Sequence, residues 1–443
     1  MRIKQRINAG SNVMLDRDLN ASLRRRALPV ILRALLLVFF ALSVLSSACA
    51  AQPRSVDKRL EDLTSTSRPF NPDDMQLARP APPVELRIVS VGDIMLHYPD
   101  QRQYDSDGQP VFADYFRFTA EVVQTADIAL CNIEAPFGGG TPAGYPIFNM
   151  ADEMAPAVAA AGFDVVYTTN NHMLDQGSEG VLRTVSLLRE SGLLVAGSRL
   201  EENEPAFVLY NTKGLDIAVV AYTYETTTLG STRSINGIPM AEDLDPLINS
   251  YTSGSAADKD ELRRTFDAAR AAGAELLVCY FHNGTEYAQA PNDDQREMAQ
   301  YAADAGADVI FASHPHVLQP MEFLMPAEGE VPVPVFWAMG NYVSNQRLES
   351  GMDAENEQGI MADVRISYNS QHQQIDEIHM DYLPLWVDRY SDGTRPVHTV
   401  IPERGDLAEN SALATSGHLD RALAAFVEIH ELLGEAQTWK RAT

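Results

Sequence analysis

The sequence has 443 residues, enough for one large α/β domain with additions or for two to three average domains. Hydrophobic residues make up 45% and charged residues 21%, so a large buried core is expected. With 34 Lys and Arg against 61 Asp and Glu, the net charge is −27, which argues against nucleic acid and anionic lipid as partners. Three cysteines without a CxxC pair exclude a disulfide scaffold and a cysteine-based zinc or redox site.

Residues 1–49 have the pattern of an export signal. Arginines at 24–26 and at 33 precede an apolar run over 34–45, and small residues follow. The run is shorter than the roughly 20 apolar residues of a transmembrane helix, although an uncleaved anchor is an alternative. Ala48-Cys49-Ala50 is an A-x-A cleavage site, and Cys49 also ends a sequence resembling a lipobox. We therefore expect an exported protein that is membrane-anchored, as a lipoprotein or by this segment, or secreted.

Residues 50–83 are Pro-rich and polar and have no apolar period, which predicts a flexible linker. From residue 84 short apolar runs alternate with amphipathic segments at 178–191, 259–272 and 292–305. Strands buried on both faces and separated by helices predict an α/β fold with a mainly parallel sheet. The predicted strands are 86–91, 128–131, 164–169, 193–196, 217–222, 275–281, 308–312 and 333–338.

After Gly340 the pattern changes to β-hairpins, with runs at 360–368 and 374–383 around a turn at Asn369-Ser370, and a further run at 397–400. Residues 407–433 predict one or two terminal helices, because leucines, Phe426 and Ile429 recur there at helical spacing. We expect residues 346–443 to form a β/helix extension that packs on the same domain as residues 84–345.

Polar clusters of metal-ligand residue types stand at the ends of several predicted strands. The carboxyl ends of the strands in an open α/β sheet form the crevice where ligands bind, so these clusters are expected to converge on one pocket. Five of the ten histidines lie in or beside them. The clusters are Gly92-Asp93-Ile94-Met95, Asn132-Ile133-Glu134, residues 170–177, residues 282–287 and His314-Pro315-His316.

Each cluster alone has a simpler explanation, such as a turn or a helix cap. Five such coincidences favour a functional site, and in the last cluster Pro315 is expected to hold the backbone extended so that His314 and His316 lie close. Carboxylates, imidazoles and a carboxamide without cysteine suit Mn²⁺, Zn²⁺, Fe or Mg²⁺. One or two ions are expected, because a carboxylate can bridge two ions about 4 Å apart.

The order GDIM, NIE-x-P, NNHMLDQG, HNGTEY, HPHVLQP and MGNY resembles the bacterial capsule-synthesis CapA family, the poly-γ-glutamate capsule proteins, which are related to calcineurin-like metallophosphoesterases. The resemblance covers residues 86–345, and residues 359–384 are similar to the family's C-terminal strands. It implies an α/β fold with a metallophosphoesterase-like layered β-sheet core flanked by helices, followed by C-terminal β-hairpins and a helix. It also implies a divalent metal and the context of a capsule polymer.

By analogy with metallophosphoesterases, the resemblance assigns a role to each cluster residue. His172 would donate a proton or hydrogen bond to the leaving group, and Asp175 would orient His172. Glu134 would be the bridging carboxylate. The implied metal ligands are Asp93, Glu134, Asn171, His282, His314 and His316, and the residues that would line the site are Asn132, Glu286 and Asn341.

The chain departs from the phosphoesterase pattern in two places. Met95 stands where the first motif has a histidine, and Glu134 replaces the bridging aspartate. His97 either substitutes for that histidine or is a plain loop residue, so one ion or none is an alternative to two. Cys131 and Cys279 are expected in buried strands, free by default, with pairing as the alternative.

Three functions follow as hypotheses. The first is an extracytoplasmic metal-dependent hydrolase of the phosphoesterase type, acting on an anionic cell-envelope polymer or a phosphate ester. The second is a non-catalytic accessory that binds or exports the polymer for a membrane capsule synthase complex. Because the net charge is −27, binding of a polyanion would require bridging cations or a local basic patch. The third is a phosphatase of small esters without a role in capsule.

Overall fold

The computed structural model describes residues 82–97, 104, 107, 111–226 and 233–442. The expected export signal at 1–49 and the linker at 50–83 lie outside the described residues, apart from Pro82 and Pro83. Residues 80–443 form one compact unit. Within the described ranges no helix combines the length and apolar composition needed to cross a bilayer.

Strands alternate with α-helices over residues 84–196 and again over residues 250–313, as the sequence predicts. The strands are β1 (Val84–Ile94), β2 (Ile128–Ile133), β3 (Val165–Tyr167), β4 (Leu194–Ala196), β5 (Val208–Thr212), β6 (Leu215–Tyr224), β7 (Ser234–Ile235), β8 (Ile238–Pro239), β9 (Ser250–Tyr251), β10 (Leu276–His282), β11 (Val309–Ser313), β12 (Leu318–Leu324), β13 (Val333–Met339), β14 (Asn341–Val343), β15 (Gln358–Asn369), β16 (Gln374–Ser391), β17 (Pro396–Pro402) and β18 (Gln437–Lys440). The α-helices are α1 (Ala113–Phe116), α2 (Ala120–Val123), α3 (Met154–Ala161), α4 (Gly177–Glu190), α5 (Ala256–Ala271), α6 (Asp293–Ala305), α7 (Ser411–Ser416) and α8 (Leu419–Leu433). Short 3₁₀ turns lie at Asp245–Leu247, Leu348–Ser350, Ala354–Glu357 and Leu407–Glu409.

The strands build two mixed sheets and a short β7–β8 ribbon. The first sheet has the order β17-β16-β15-β1-β2-β3-β4, with β14 beside β1 and β18 beside β16. The second has the order β12-β13-β11-β10-β6-β5, with β9 beside β6. All eight predicted strands form, as β1–β4, β6, β10, β11 and β13, and they pair in parallel. The expectation of one mainly parallel sheet is corrected, because these strands divide between two sheets.

Alternate residues of each strand face opposite layers, as the pleat of a strand requires. Ile88 of β1 and Val219 of β6 share the central core between the two sheets. Val89 packs with the helices α1–α4, and Val220 packs with α5 and α6. The fold is therefore an α/β arrangement of layered sheets with helices on both outer faces.

Local sequence explains where the outer helices begin and end. Asn292 caps α6, since its side chain accepts from the backbone of Gln295 and the Gln295 side chain accepts in return, a capping box. The helix ends at Gly306, whose φ of 105° suits a residue without a Cβ. The observed helix agrees with the one predicted over 292–305.

The two described cysteines are free and buried. Cys131 packs in the core beneath α1–α4, whereas Cys279 packs beneath α5 and α6. Because these cores lie on opposite outer sides of the paired sheets, the thiols cannot approach one another. The prediction of free thiols is confirmed, and pairing between them is excluded.

The predicted C-terminal hairpin forms as β15 and β16, joined through residues 370–373. β15 pairs antiparallel with β1, so the C-terminal strands extend the first sheet. In α8, Phe426 and Ile429 enter the central core, as the helical spacing predicts. Leu423 is instead 43% exposed, because Ala422 and Ala425 take the inward positions.

Candidate metal centre

Asp93 lies near the carboxyl end of β1 and is fully buried. Its Oδ1 accepts from Nδ2 of Asn132 at 2.8 Å, and its Oδ2 lies 3.2 Å from Nδ1 of His316. Burial raises the pKa of Asp93, but the hydrogen bond with His316 and attraction by His282 outweigh it and lower the pKa to about 2. The carboxylate is therefore charged and held in one orientation.

Glu134 follows β2 and is also fully buried. Neither carboxylate oxygen has a hydrogen-bond partner among the described residues. Its Oε1 lies 3.5 Å from Nε2 of His282 and 3.5 Å from Nε2 of His316. Burial, followed by repulsion from Asp93, raises the pKa of Glu134 well above its usual value. A buried carboxylate without donors is costly, and a cation between these side chains would remove that cost.

His282 is the last residue of β10, and each of its two ring nitrogens has a hydrogen-bond partner. Its Nδ1 lies 3.1 Å from the hydroxyl of Tyr280, and its Nε2 lies 2.9 Å from Oδ1 of Asn171. Burial lowers the pKa of His282 to about 3, so the ring is neutral at neutral pH. A neutral imidazole is the form that binds metals.

His314 and His316 do not lie in extended backbone around Pro315, which corrects the expectation from the sequence. Their φ angles are 107° and 57°, a left-handed conformation that costs a non-glycine residue about 1–3 kcal/mol. The rings nevertheless lie close, with centroids 6.1 Å apart. Strain of this kind concentrates at functional sites, where the surrounding structure enforces it.

The imidazole rings of His314 and His316 have different surroundings. Nε2 of His314 lies 3.2 Å from the hydroxyl of Tyr224, while its buried Nδ1 has no hydrogen-bond partner in the described part of the chain. Burial, then the neighbouring His282, lowers the pKa of His314 well below its usual value. Nδ1 of His316 lies 3.2 Å from Oδ1 of Asn341, in addition to its contact with Asp93.

These side chains form two groups that share Glu134. Within each group the candidate ligand atoms all lie within 4.8 Å of one another. The donors fit one or two divalent ions, because they are carboxylate oxygens and imidazole nitrogens, and because neither Glu134 oxygen has a hydrogen-bond partner in the described ranges. The groups are Glu134, His282 and His314, and Asp93, Glu134 and His316.

His172 lies beside the two groups but belongs to neither within the described ranges. Its Nδ1 is 2.9 Å from Oδ2 of Asp175, and that oxygen also accepts from the backbone N–H of Phe148 at 2.7 Å. The Phe148 ring packs edge-on against the His172 ring at 4.6 Å. Asp175 and Phe148 therefore set the orientation of the His172 ring, with Nδ1 directed at Asp175.

The three residues expected to line the site differ in position. Asn132 orients Asp93, and Asn341 contacts His316 while its amide donates to the backbone carbonyl of Asn356 at 3.0 Å. Glu286 lies on an exposed loop after β10. It acts there as a negative charge that contributes to the raised pKa of Glu134.

Met95 is buried in the core beneath the helices, so no imidazole stands at that motif position. Nδ1 of His97 accepts from the backbone N–H of Asn345 at 3.4 Å, and its ring contacts Phe148 at 5.3 Å. In the part of the chain that the structure describes, His97 joins neither ligand group. The second group is therefore completed by His316 rather than by a residue of the first motif.

Sequence reasoning missed Tyr280, Tyr224 and Phe148. Tyr280 had a usable signal, because it precedes His282 by two residues and thus shares its face of β10. Tyr224 and Phe148 carried no signal, because their contacts with His314 and Asp175 arise only when separate elements pack together.

The sequence matches the family described as "Bacterial capsule synthesis protein PGA_cap" over residues 87–346. It is 26% identical over 272 residues to "Capsule biosynthesis protein CapA" of Bacillus anthracis, covering 59% of this chain and 60% of that protein. It is 26% identical over 267 residues to "PGA biosynthesis protein CapA" of Bacillus subtilis (strain 168), covering 58% and 62%. The matched region thus spans about three fifths of the length of these curated relatives.

Among solved structures, the calcineurin-like phosphoesterase YfkN from Bacillus subtilis aligns with 78% of this chain and 100% of its own, at 15% identity and a TM-score of 0.35. A likeness at that score is too low to carry an argument. The family match, by contrast, covers more than half of the chain and includes every candidate ligand. The chain belongs to the bacterial capsule synthesis protein PGA_cap family.

Proposed function

We propose that this protein is a metal-dependent hydrolase of the phosphoesterase type that acts outside the cytoplasm in capsule polymer synthesis. The observation that carries the proposal is Glu134, a buried carboxylate that lies between His282 and His316 and has no hydrogen-bond partner among the residues that the structure describes. No folding role accounts for such a group, since burying it without donors destabilises the chain.

Two positions would hold divalent ions. Glu134, His282 and His314, with Asn171 beside them, would form one, and Asp93, Glu134 and His316 would form the other. Mn²⁺, Zn²⁺, Fe and Mg²⁺ all accept such oxygen and nitrogen ligands. When bound, the ions would polarise a phosphate oxygen and activate water for attack on phosphorus.

His172 would then act as the general acid. Hydrolysis breaks the bond between phosphorus and the ester oxygen, and that oxygen must gain a proton as it leaves. Nε2 of His172 would donate this proton, while the carboxylate of Asp175 stabilises the charged ring through Nδ1. The proton lost by the attacking water would return to solvent.

The capsule context rests on the family and on two relatives whose names refer to capsule and PGA biosynthesis. The export pattern of residues 1–49 supports an extracytoplasmic place of action. The proposed substrate is an anionic cell-envelope polymer or a phosphate ester formed during its assembly, and the proposed partner is a membrane capsule synthase complex. Bound cations would offset repulsion between a polyanion and this acidic chain.

Elemental analysis of the purified full chain tests the metal site. We expect about one or two bound ions in the wild type, as in other carboxylate-bridged hydrolases, and none in the double variant Asn171→Ala/His314→Ala. His379→Ala, a change of a partly exposed histidine that pairs with Thr438, serves as the matched control and should keep the metal. Absence of metal from the wild type after incubation with Mn²⁺ and Zn²⁺ would overturn the proposal.

A non-catalytic polymer-binding role is the second candidate, because Met95 packs in the core at the position where the first motif would carry an imidazole. It predicts polymer binding that persists in chelator and no hydrolysis of any phosphate ester. Loss of polymer binding in chelator, together with ester hydrolysis in Mn²⁺, would favour the hydrolase instead.

A further inference from the structure

Two exposed tyrosines adjoin the candidate metal centre from different loops. Tyr145 is 75% exposed and Tyr287 is 44% exposed. Exposed apolar residues that are scattered singly need no explanation. These two differ, because the loops that carry them are hydrogen-bonded to the residues of the site.

Tyr145 belongs to the loop that positions His172. Its ring lies 6.4 Å from the ring of Phe148, edge to face, and Phe148 in turn contacts His172. The backbone of Phe148 is held at both polar groups, since its N–H donates to Asp175 and its carbonyl accepts from Gln176 at 2.8 Å. The Tyr145 ring is therefore connected to the proposed general acid through Phe148.

Tyr287 is held against the His314-Pro315-His316 segment. Its backbone N–H donates to the carbonyl of Pro315 at 2.7 Å, and its ring lies 6.2 Å from the ring of His316. Its hydroxyl accepts from Nε2 of Gln346 at 3.4 Å. Tyr287 has a φ of 66°, a backbone conformation that is uncommon for a residue other than glycine.

The two rings adjoin different residues of the candidate site, Tyr145 through Phe148 against His172, and Tyr287 directly against His316. Glu286 precedes Tyr287 on the same exposed loop. Asp93, Glu134 and Asp175 place further carboxylates in or beside the site. A substrate that carried additional carboxylates toward these side chains would meet repulsion.

We infer that Tyr145 and Tyr287 form an aromatic clamp that selects phosphate esters whose alcohol portion is an uncharged ring, such as a sugar or an aryl group. This inference rests on the proposed function and specifies its substrate class. Tyrosine suits such contacts, because it offers a large, rigid, amphipathic surface at a low entropy cost. Flat ring faces pack on it with a favourable geometry that a flexible chain lacks.

The test compares ring and open-chain esters of primary alcohols, so that the leaving groups are alike. With the full chain in Mn²⁺, benzyl phosphate is compared with n-hexyl phosphate, and glucose 6-phosphate with sorbitol 6-phosphate. We expect kcat/KM to be about tenfold higher for the ring in at least one pair, a size within the range of aromatic contacts. The pair of esters that shows the preference tells whether the enzyme selects an aryl ring or a sugar ring. Because 6-phosphogluconate carries an additional carboxylate, it should be the poorest substrate of the set.

Leucine and phenylalanine variants distinguish the contribution of the tyrosine ring from that of its hydroxyl. Tyr145→Leu and Tyr287→Leu should reduce the ring preference to about threefold or less, whereas Tyr145→Phe and Tyr287→Phe should retain it. Tyr301→Leu, on α6, is the control, because Tyr301 contacts Arg263 rather than the site. Equal rates for ring and open-chain esters in the wild type, or an unchanged preference in both leucine variants, would overturn the clamp.

A binding measurement distinguishes failure of the clamp from failure of the proposed function. Calorimetry in Mn²⁺ compares benzylphosphonate with n-hexylphosphonate, neither of which can be hydrolysed. If no ester is hydrolysed, yet benzylphosphonate binds more tightly and loses this advantage in Tyr145→Leu, the clamp stands and the hydrolase proposal fails. If both phosphonates bind equally or neither binds, the clamp is wrong whether or not esters are hydrolysed.

Discussion

A Cβ atom placed on Gly92 would lie 1.9 Å from the carbonyl oxygen of Gly340. The backbone N–H of Asp93 donates to that same oxygen at 3.1 Å. The lack of a side chain at Gly92 therefore allows β14 to meet the end of β1, and Asp93 comes into register with Asn341. Both residues contact His316, so this close approach helps to assemble the candidate metal centre.

Gly92→Ala should destabilise the protein by about 3 kcal/mol, because the clash is with backbone that cannot move aside as a side chain does. Urea unfolding followed by circular dichroism measures this loss. Gly192→Ala is the control, since its φ is 90° and the space around its added Cβ is open. Gly192→Ala should lower the stability by about 1–2 kcal/mol, which is the cost of the left-handed conformation alone. An equal loss in both variants would show that the close approach does not matter.

Glu134→Gln should make the metal-free protein more stable, because it replaces a carboxylate whose charged form is disfavoured by burial and then by repulsion from Asp93. It should also abolish stabilisation by Mn²⁺, which for the wild type is about 2.7 kcal/mol at a hundredfold excess over Kd. Thermal unfolding in EDTA and in Mn²⁺ measures both effects. Glu286→Gln, a change of the exposed neighbour, should retain most of the metal effect. Equal stabilisation of Glu134→Gln by Mn²⁺ would exclude Glu134 as a shared ligand.

His172→Ala should reduce kcat about 10²- to 10⁴-fold while leaving the metal content unchanged, because in the proposed reaction His172 transfers a proton and does not bind an ion. Asp175→Asn should cause a smaller loss, on the order of 10- to 100-fold, since the ring would keep its place but lose its charged partner. Steady-state kinetics and elemental analysis on the same preparations check both points. A loss of metal in His172→Ala would make this residue a ligand instead.

Glu349 should contribute to a pH-dependent part of the stability. Burial raises its pKa, but hydrogen bonds from Arg347 and Arg421 outweigh this and lower it to about 2, from an ordinary value of 4.5. A lowered pKa means that the stabilisation is present above pH 4.5 and is lost as the pH falls toward 2. Because the side chain is 52% exposed, the contribution should stay below about 1 kcal/mol.

The comparison of wild type with Glu349→Gln tests this pH dependence. The difference in the free energy of unfolding should be largest near neutral pH and should shrink in strong acid. A difference that is the same at both ends of the range would mean that Arg347 and Arg421 do not hold the carboxylate in solution.

The parallel strands could be predicted from the sequence, because runs such as 217–222 and 276–281 are apolar at every position. The division of these strands into two sheets could not be predicted from the sequence. A strand that is buried on both faces has the same apolar pattern whether a helix or a second sheet covers it. The edge strand β5 and the short β14 were missed for a related reason, since β5 is half exposed and β14 is only three residues long.

The convergence of Asp93, Glu134 and the three histidines was predictable, because each follows or ends a parallel strand. The backbone conformation of His314 and His316 was not. Proline at 315 favours extended backbone for the residue before it, whereas packing of the loop against Asp93 and Tyr287 places both histidines at positive φ. Tertiary contacts therefore override the local backbone preference at His314.

Residue type and order alone decided which side chains could form a metal centre and at which strand ends they would stand, since both follow from apolar periodicity and ligand chemistry. Folding decided how those side chains are used. In the described part of the chain, the absence of hydrogen-bond partners for the Glu134 carboxylate, the orientation of His172 by Phe148 and the contact of Tyr287 with His316 all depend on segments far apart in the sequence. Distances between such segments are set by packing of the two sheets, and no local pattern in the chain encodes them.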